Sequence, residues 1–430
     1  MSKIKLLLAA AFLASAAASA QTSSPYSMYG YGIIGDRATS LQRQMGGVGY
    51  AMNSGRQINV MNPASYAAID SLTFLFDIGA DLSLLWSQEG SAKQRSTGGG
   101  VDYVTMQFPI SKFMGGSIGL LPYSSVGYAF GNDIAHGAVE NQGTGGINQL
   151  YLGVSGKVAG FSLGVNVSYD FGNIMNDVFA TPVGSTQTKF EHVMEIRDWN
   201  INIGAQYTAR WNRFNKLVIG ATYSPRKSMR GKTWVTQQEM VQDSKPDTVA
   251  SMKMKDKYFN PTSIGAGISY TYEKAYRVMV EADFTWQQWS KAPYAALYGT
   301  ESIKDMNAGD INSGKQQLVA AGMDFNDRSK FAVGGEFVPK LRGNYGERIA
   351  YRLGAYYTND YLNIKGNKVR EIGVTCGAGL PTPEGKTQIN IGLEWKKRYA
   401  SPMKLIGENY FNITLGVNFN EVWFWKRKIR

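Results

Sequence analysis

The chain has 430 residues, one cysteine, two histidines and a formal net charge of +12. A lone cysteine excludes an intramolecular disulfide. With only two histidines beside it, no zinc site can be assembled from ordinary ligands, and no cofactor or metal is implied.

Residues 1–20 read as a secretory signal peptide. Lys3 and Lys5 precede an apolar run over 6–14, and Ala18-Ser19-Ala20 supplies small residues at a cleavage site. The apolar run is too short to cross a bilayer, which takes roughly 20 residues. Cleavage leaves Gln21 first, and the product leaves the cytoplasm. For an exported chain the basic excess suits anionic membrane lipid or lipopolysaccharide better than nucleic acid. Scattered solvated lysines are the plain alternative.

Residues 21–71 do not alternate. They are rich in Gly, Ser, Tyr and Met, with Tyr29-Gly-Tyr-Gly32 and Met45-Gly-Gly-Val-Gly49 as local motifs. A segment ahead of a first strand begins on the periplasmic side. It either hangs there or folds into the lumen as a plug, and its mixed apolar composition favours packing.

From residue 72 the pattern has a period of two. Phe161, Leu163, Val165, Val167, Tyr169 and Phe171 share a face opposite Ser162, Gly164, Asn166, Ser168 and Asp170. Strands are predicted over 72–86, 99–110, 114–130, 147–157, 160–171, 195–209, 214–238, 262–273, 276–289, 328–338, 348–358, 369–380, 387–397 and 408–420. Parity requires the run 214–238 to be one strand bent at Pro225, because a single-chain barrel returns to its starting side. A soluble β-sandwich also alternates. Three features favour a barrel: Trp or Tyr at strand ends, a second face too hydrophilic for a dry core, and turns that alternate short and long. The long outside loops are expected at 131–146, 172–194, 239–261 and 290–327, and glycines punctuate many turns. The reading is all-β: a 14-stranded antiparallel transmembrane β-barrel over 72–430 with an N-terminal lumenal plug over 21–71, in the outer membrane of a diderm bacterium.

Three patches carry a family resemblance. Gln44-Met-Gly-Gly-Val-Gly-Tyr-Ala-Met52 with Ile58-Asn-Val-Met-Asn-Pro-Ala-Ser65 resembles the plug of the FadL-like outer-membrane transporters. Pro261-Thr-Ser-Ile-Gly-Ala-Gly with the run from Val278 to Ser290 is similar to that family's paired strands ending in Trp-Ser. Tyr351-Arg-Leu-Gly-Ala-Tyr-Tyr357 through Gly379-Leu-Pro-Thr-Pro383 is the third patch. Ser24-Pro-Tyr-Ser-Met-Tyr-Gly-Tyr-Gly32 is similar to the branch found in bacteria with type IX secretion. Some members of that branch are subunits of secretion or barrel-assembly machines.

The resemblance implies that Asn62, Pro63 and Ala64 close the plug before strand one. It implies passive uptake of hydrophobic compounds such as long-chain fatty acids, by plug movement and lateral release where strand three kinks. Pro122 is the candidate for that gap, since proline cannot donate a ladder hydrogen bond; an ordinary bulge is the plain alternative. A non-transporting barrel subunit of a larger outer-membrane complex, held there by protein partners, is the rival function.

Alternation points Asp77, Asp81, Arg277, Glu281, Asp283, Glu336, Arg352, Glu371 and Glu394 inward. Arg277 or Arg352 could hold a ligand carboxylate through its planar donor fork. Alternatively the charges, Asp77 among them, form a structural network, with Glu281, Asp283, Glu336 and Glu371 as competing carboxylates for the arginines. Catalysis is not expected. Gly115-Gly-Ser-Ile-Gly119 matches a nucleophile motif but lies in a strand, and His136 and His192 fall in predicted outside loops. Trp423-Phe-Trp425 before Lys426-Arg-Lys428 reads as a membrane-interface anchor.

Overall fold

The computed structural model describes residues 24–134, 137–184, 186–240, 247–254, 258–292, 294–297, 320–383 and 387–422. The signal peptide, His136, most of 290–327 and the 423–428 anchor lie outside them. The barrel staves are β1 (Thr73–Glu89), β2 (Ala92–Pro109), β3 (Met114–Ile134), β4 (Gly137–Val158), β5 (Phe161–Pro182) and β6 (Gln187–Arg210). Next, β7 comprises Asn215–Ser224 and Gly231–Met240, and β8 comprises Asp247–Met254 and Ser263–Glu273. The wall is completed by β9 (Arg277–Gln287), β10 (Arg328–Val338), β11 (Ala350–Ile364), β12 (Asn367–Pro381), β13 (Gln388–Ser401) and β14 (Gly407–Val422). All fourteen are antiparallel to their neighbours, and β1 closes on β14 from Thr73↔Val422 to Gln88↔Gly407. Closure leaves no terminal edge, so the staves satisfy their backbone groups within the sheet, as a lipid environment demands, except along the upper part of the β2–β3 seam.

The two faces follow the alternation. Leu150, Leu152, Val154, Leu163, Ile201 and Ile203 are exposed on the outside, while Ser162, Asn166, Ser168, Asp170 and Asn200 are buried inside. Both pieces of β7 pair with β6, and the break between them falls at Pro225, as parity required.

Three of the expected loops hold strand instead: within 239–261, Asp247–Met254 pairs with the upper part of β7. Residues 131–146 and 172–194 belong almost wholly to the upper parts of β3–β6, and His192 lies on β6 opposite Val235 and Asn176. These positions lost the apolar period because both their faces leave the hydrocarbon layer. The hydrogen-bonded ladder needs no apolar face, so pairing continues. At 22 residues each, β4 and β5 are twice the roughly 10 residues that cross a bilayer. By contrast β9 and β10 have 11 each. One side of the barrel is therefore a tall wall above the membrane.

The glycines have a second place in the fold. Besides turns, they line the inward face where the N-terminal segment touches the wall. A Cβ at Gly334 would sit 2.2 Å from the Met45 carbonyl oxygen, one at Gly354 2.1 Å from the Met45 carbonyl carbon, and one at Gly164 2.5 Å from Pro63. Such gaps close below any real Cβ contact, so these strands must lack side chains there.

Candidate functional site: the filled lumen and the break in the wall

The N-terminal segment runs down the lumen from the outer end. Its first described residue, Ser24, donates from its amide to the Gly127 carbonyl of upper β3 (2.8 Å) and from its hydroxyl to Glu408 of β14 (2.7 Å). The Tyr29-Gly-Tyr-Gly32 motif then enters an aromatic socket. The Tyr31 ring lies 5.4 Å from Trp289, 6.2 Å from Phe325 and 6.3 Å from Tyr258. The Tyr31 amide donates to the Tyr361 hydroxyl (3.1 Å), and that hydroxyl donates to the Gly32 carbonyl (2.6 Å). Gly32 has φ +80°, and a Cβ there would lie 2.5 Å from the Ser125 carbonyl oxygen, so glycine is required on both counts.

Further down, charge and amide groups tie segment to wall. Asp36 pairs with Lys330 and, at 3.4 Å, with Arg328; Arg43 pairs with Asp102 at 2.7 Å. Asp283 accepts from the amides of Gly49 (2.6 Å) and Tyr50 (3.0 Å), and Glu281 accepts from Ala51 (2.8 Å). Three successive amides facing two carboxylates form an anion-binding nest. Glu281 and Asp283 therefore grip this backbone and do not compete for the arginines. Near the floor, Asn62 caps the turn Pro63–Ala68. Its Oδ1 accepts from Ala64, and its Nδ2 donates to Tyr50 (2.7 Å) and to the Ala205 carbonyl of β6 (3.2 Å).

Both arginine candidates converge on Glu336. Arg277 meets Oε1 at 2.7 Å and Arg352 meets Oε2 at 2.8 Å. Arg352 also donates to Gln44 and Asn390, each at 2.8 Å. Glu371 is held elsewhere, by Arg398 at 2.6 Å. Asp77 accepts from Tyr103 and Asn418, and Glu394 from Tyr356 and Asn412. One cavity beside the segment measures about 180 Å³, and its lining includes Asp36, Arg43, Asp102, Glu371, Lys396 and Arg398. Small-molecule sites commonly span about 300–1,000 Å³ and are mostly apolar. This space is smaller, and charged side chains stand among the apolar ones that line it.

The wall itself opens beside that cavity. β3 pairs with β2 only from Pro109↔Gly115 to Val104↔Leu120, whereas β3 and β4 stay paired up to Ile134↔Gly137, with one irregularity between Pro122 and Ser124. Pro122 thus sits just above the last β2–β3 pair. The short strand Ile33–Ile34 covers the freed edge by pairing with Ser124 and Ser125, and the Gly35 amide donates to Tyr123.

Several of these residues were missing from the sequence-based set. Arg328 and Lys330 share the inward parity of Glu336 and were findable by it. Asp36, Arg43 and Gln44 lie in the non-alternating segment, where no parity signal exists.

A closed fourteen-stranded barrel with this break beside β3 has the fold of FadL-like outer-membrane barrels. The toluene transporter TodX of Pseudomonas putida is similar, with TM-score 0.59 and 14% identity over 90% of this chain and 99% of that one. The Ralstonia pickettii toluene transporter TbuX (0.56; 12%; 89% and 98%) and a Pseudomonas aeruginosa FadL homologue (0.57; 11%; 90% and 99%) share it. No curated protein matches the chain. The chain belongs to the BamG family, whose model matches residues 1–430.

Proposed function

We propose that this protein is a non-conducting barrel subunit of a larger outer-membrane complex of the secretion or barrel-assembly kind, exported by a cleaved signal peptide. The observation that carries this reading is the occupied lumen. The N-terminal segment acts as a fixed plug, both arginines are engaged on Glu336, and the cavity beside the segment is small and carries charged side chains in its lining. A hydrocarbon crossing it would desolvate charged groups without replacing their hydrogen bonds, which costs several kcal/mol. The N-terminal resemblance to the branch found in bacteria with type IX secretion supports the same reading. Purification of the native protein in mild detergent should recover it with stoichiometric envelope partners, and the purified barrel should neither bind labelled fatty acid nor conduct ions in planar bilayers. A solitary barrel that binds fatty acid sinks this reading.

The break in the wall favours a second reading, uptake of a hydrophobic compound with lateral release between β2 and β3. The strand Ile33–Ile34 would have to leave the β3 edge for that path to open. If it does, Pro122→Val slows uptake of labelled hydrocarbon without loss of assembly. Unchanged uptake assigns the kink a structural role only.

A further inference from the structure

The outer surface of β12 and β13 carries cations that the lumenal network cannot reach. On β12, Glu371 points inward to Arg398, so its neighbour Arg370 faces outward, as does Lys368. On β13, Arg398 is lumenal, so Lys397 faces outward, directly opposite Ile372. Lys404 is exposed in the turn between β13 and β14. Glu371 and Glu408, the nearest carboxylates along these strands, are both inside and bound to Arg398. Strand alternation has sorted the acids to the lumen and these cations to the exterior. Among the described residues, none of the four outward cations has a carboxylate within ion-pair distance.

Their height on the wall is defined by the residues below them. Trp395, two positions beneath Lys397, is exposed, as are Val374 and Leu353 on the neighbouring strands. The cations therefore stand immediately above the lipid-facing belt, at the end of the staves that the barrel's topology places outside. One row continues sideways from Lys397 through Asn409 and Trp86 to Arg95, whose guanidinium lies 5.5 Å from the Trp86 ring. Neighbouring strands are about 4.8 Å apart, so Arg95 lies roughly 14 Å from Lys397 across the wall. Lipid-facing cations are costly inside the hydrocarbon layer and nearly free at its edge, where an anionic headgroup makes them favourable.

We propose that this face binds the headgroup of a phosphorylated glycolipid of the outer leaflet. Arg370 and Lys397 hold one phosphate, with Lys368 and Lys404 flanking it. Arg95 on Trp86 meets the opposite end of the headgroup, while the acyl chains lie along Trp395, Val374 and Leu353.

The test uses the full-length barrel in nanodiscs of neutral phosphatidylethanolamine, titrated with diphosphoryl lipid A or with phosphatidylglycerol. Each surface cation is worth roughly fivefold in affinity, so Arg370→Ala with Lys397→Ala should weaken lipid A binding on the order of twentyfold. Heat-modifiable gel mobility checks that this variant still forms a barrel. The charge-conserving pair R370K and K397R should retain most of the binding and excludes a packing artefact. The proposal is overturned if wild type shows no binding above the neutral lipid, if the alanine pair binds as wild type does, or if phosphatidylglycerol binds as tightly as lipid A.

Discussion

Glu336 shows how a single residue decides between a ligand site and a strut. Its carboxylate receives two guanidiniums, and Arg352 is almost wholly buried, at 1% exposure. Removing one partner of a buried ion pair leaves the other uncompensated, at a cost of about 3–5 kcal/mol. Glu336→Ala should therefore lower the unfolding midpoint of the detergent-solubilised barrel markedly, and Glu336→Gln, which keeps hydrogen-bond acceptance on one oxygen, should lower it less. Thermal unfolding followed by gel mobility reads both. If Glu336→Ala leaves the midpoint unchanged and instead creates fatty-acid binding, the arginines are a masked ligand site and not a strut.

At the scale of elements, the contact between the N-terminal segment and upper β3 is the place to perturb. Ile33–Ile34 supplies a short ladder to Ser124 and Ser125, and Gly32 must pass against the Ser125 carbonyl with a left-handed backbone. Gly32→Val adds both a steric clash and an unfavourable φ, so Tyr31 should leave its socket and the β3 edge should be uncovered. The expected result is faster proteolysis within residues 24–39 while the barrel stays heat-modifiable. Wild-type proteolysis rates in this variant would mean that the nest at residues 49–51 alone holds the segment.

For the whole molecule, a filled lumen predicts a closed pore. Wild-type protein in a planar bilayer should show no steady conductance. Deleting residues 24–39 removes the Tyr31 socket contact, the Asp36 pairs and the β3 edge cover together. That deletion should open measurable conductance, since the inward face beneath is polar and wets readily. A deletion variant as silent as wild type would place the block lower, at Arg43 and the nest.

The barrel and its strand number were legible from the order of residues alone, because alternation between lipid and lumen is a local property of each stave. The register of Arg352, Glu336 and Glu371 toward the lumen followed from the same parity. What parity could not say is which acid meets which base. Glu336 and Arg352 are brought opposite one another by the β10–β11 pairing, while Glu281 and Asp283 go instead to amides that approach from a segment more than two hundred positions away. The upper halves of β3–β6 and the path of residues 24–71 were likewise hidden. Above the membrane both strand faces are polar, and within the lumen the chain follows the wall's glycines rather than any period of its own. Those features depend on contacts between distant segments, and only closure of the barrel around its N-terminal segment creates them.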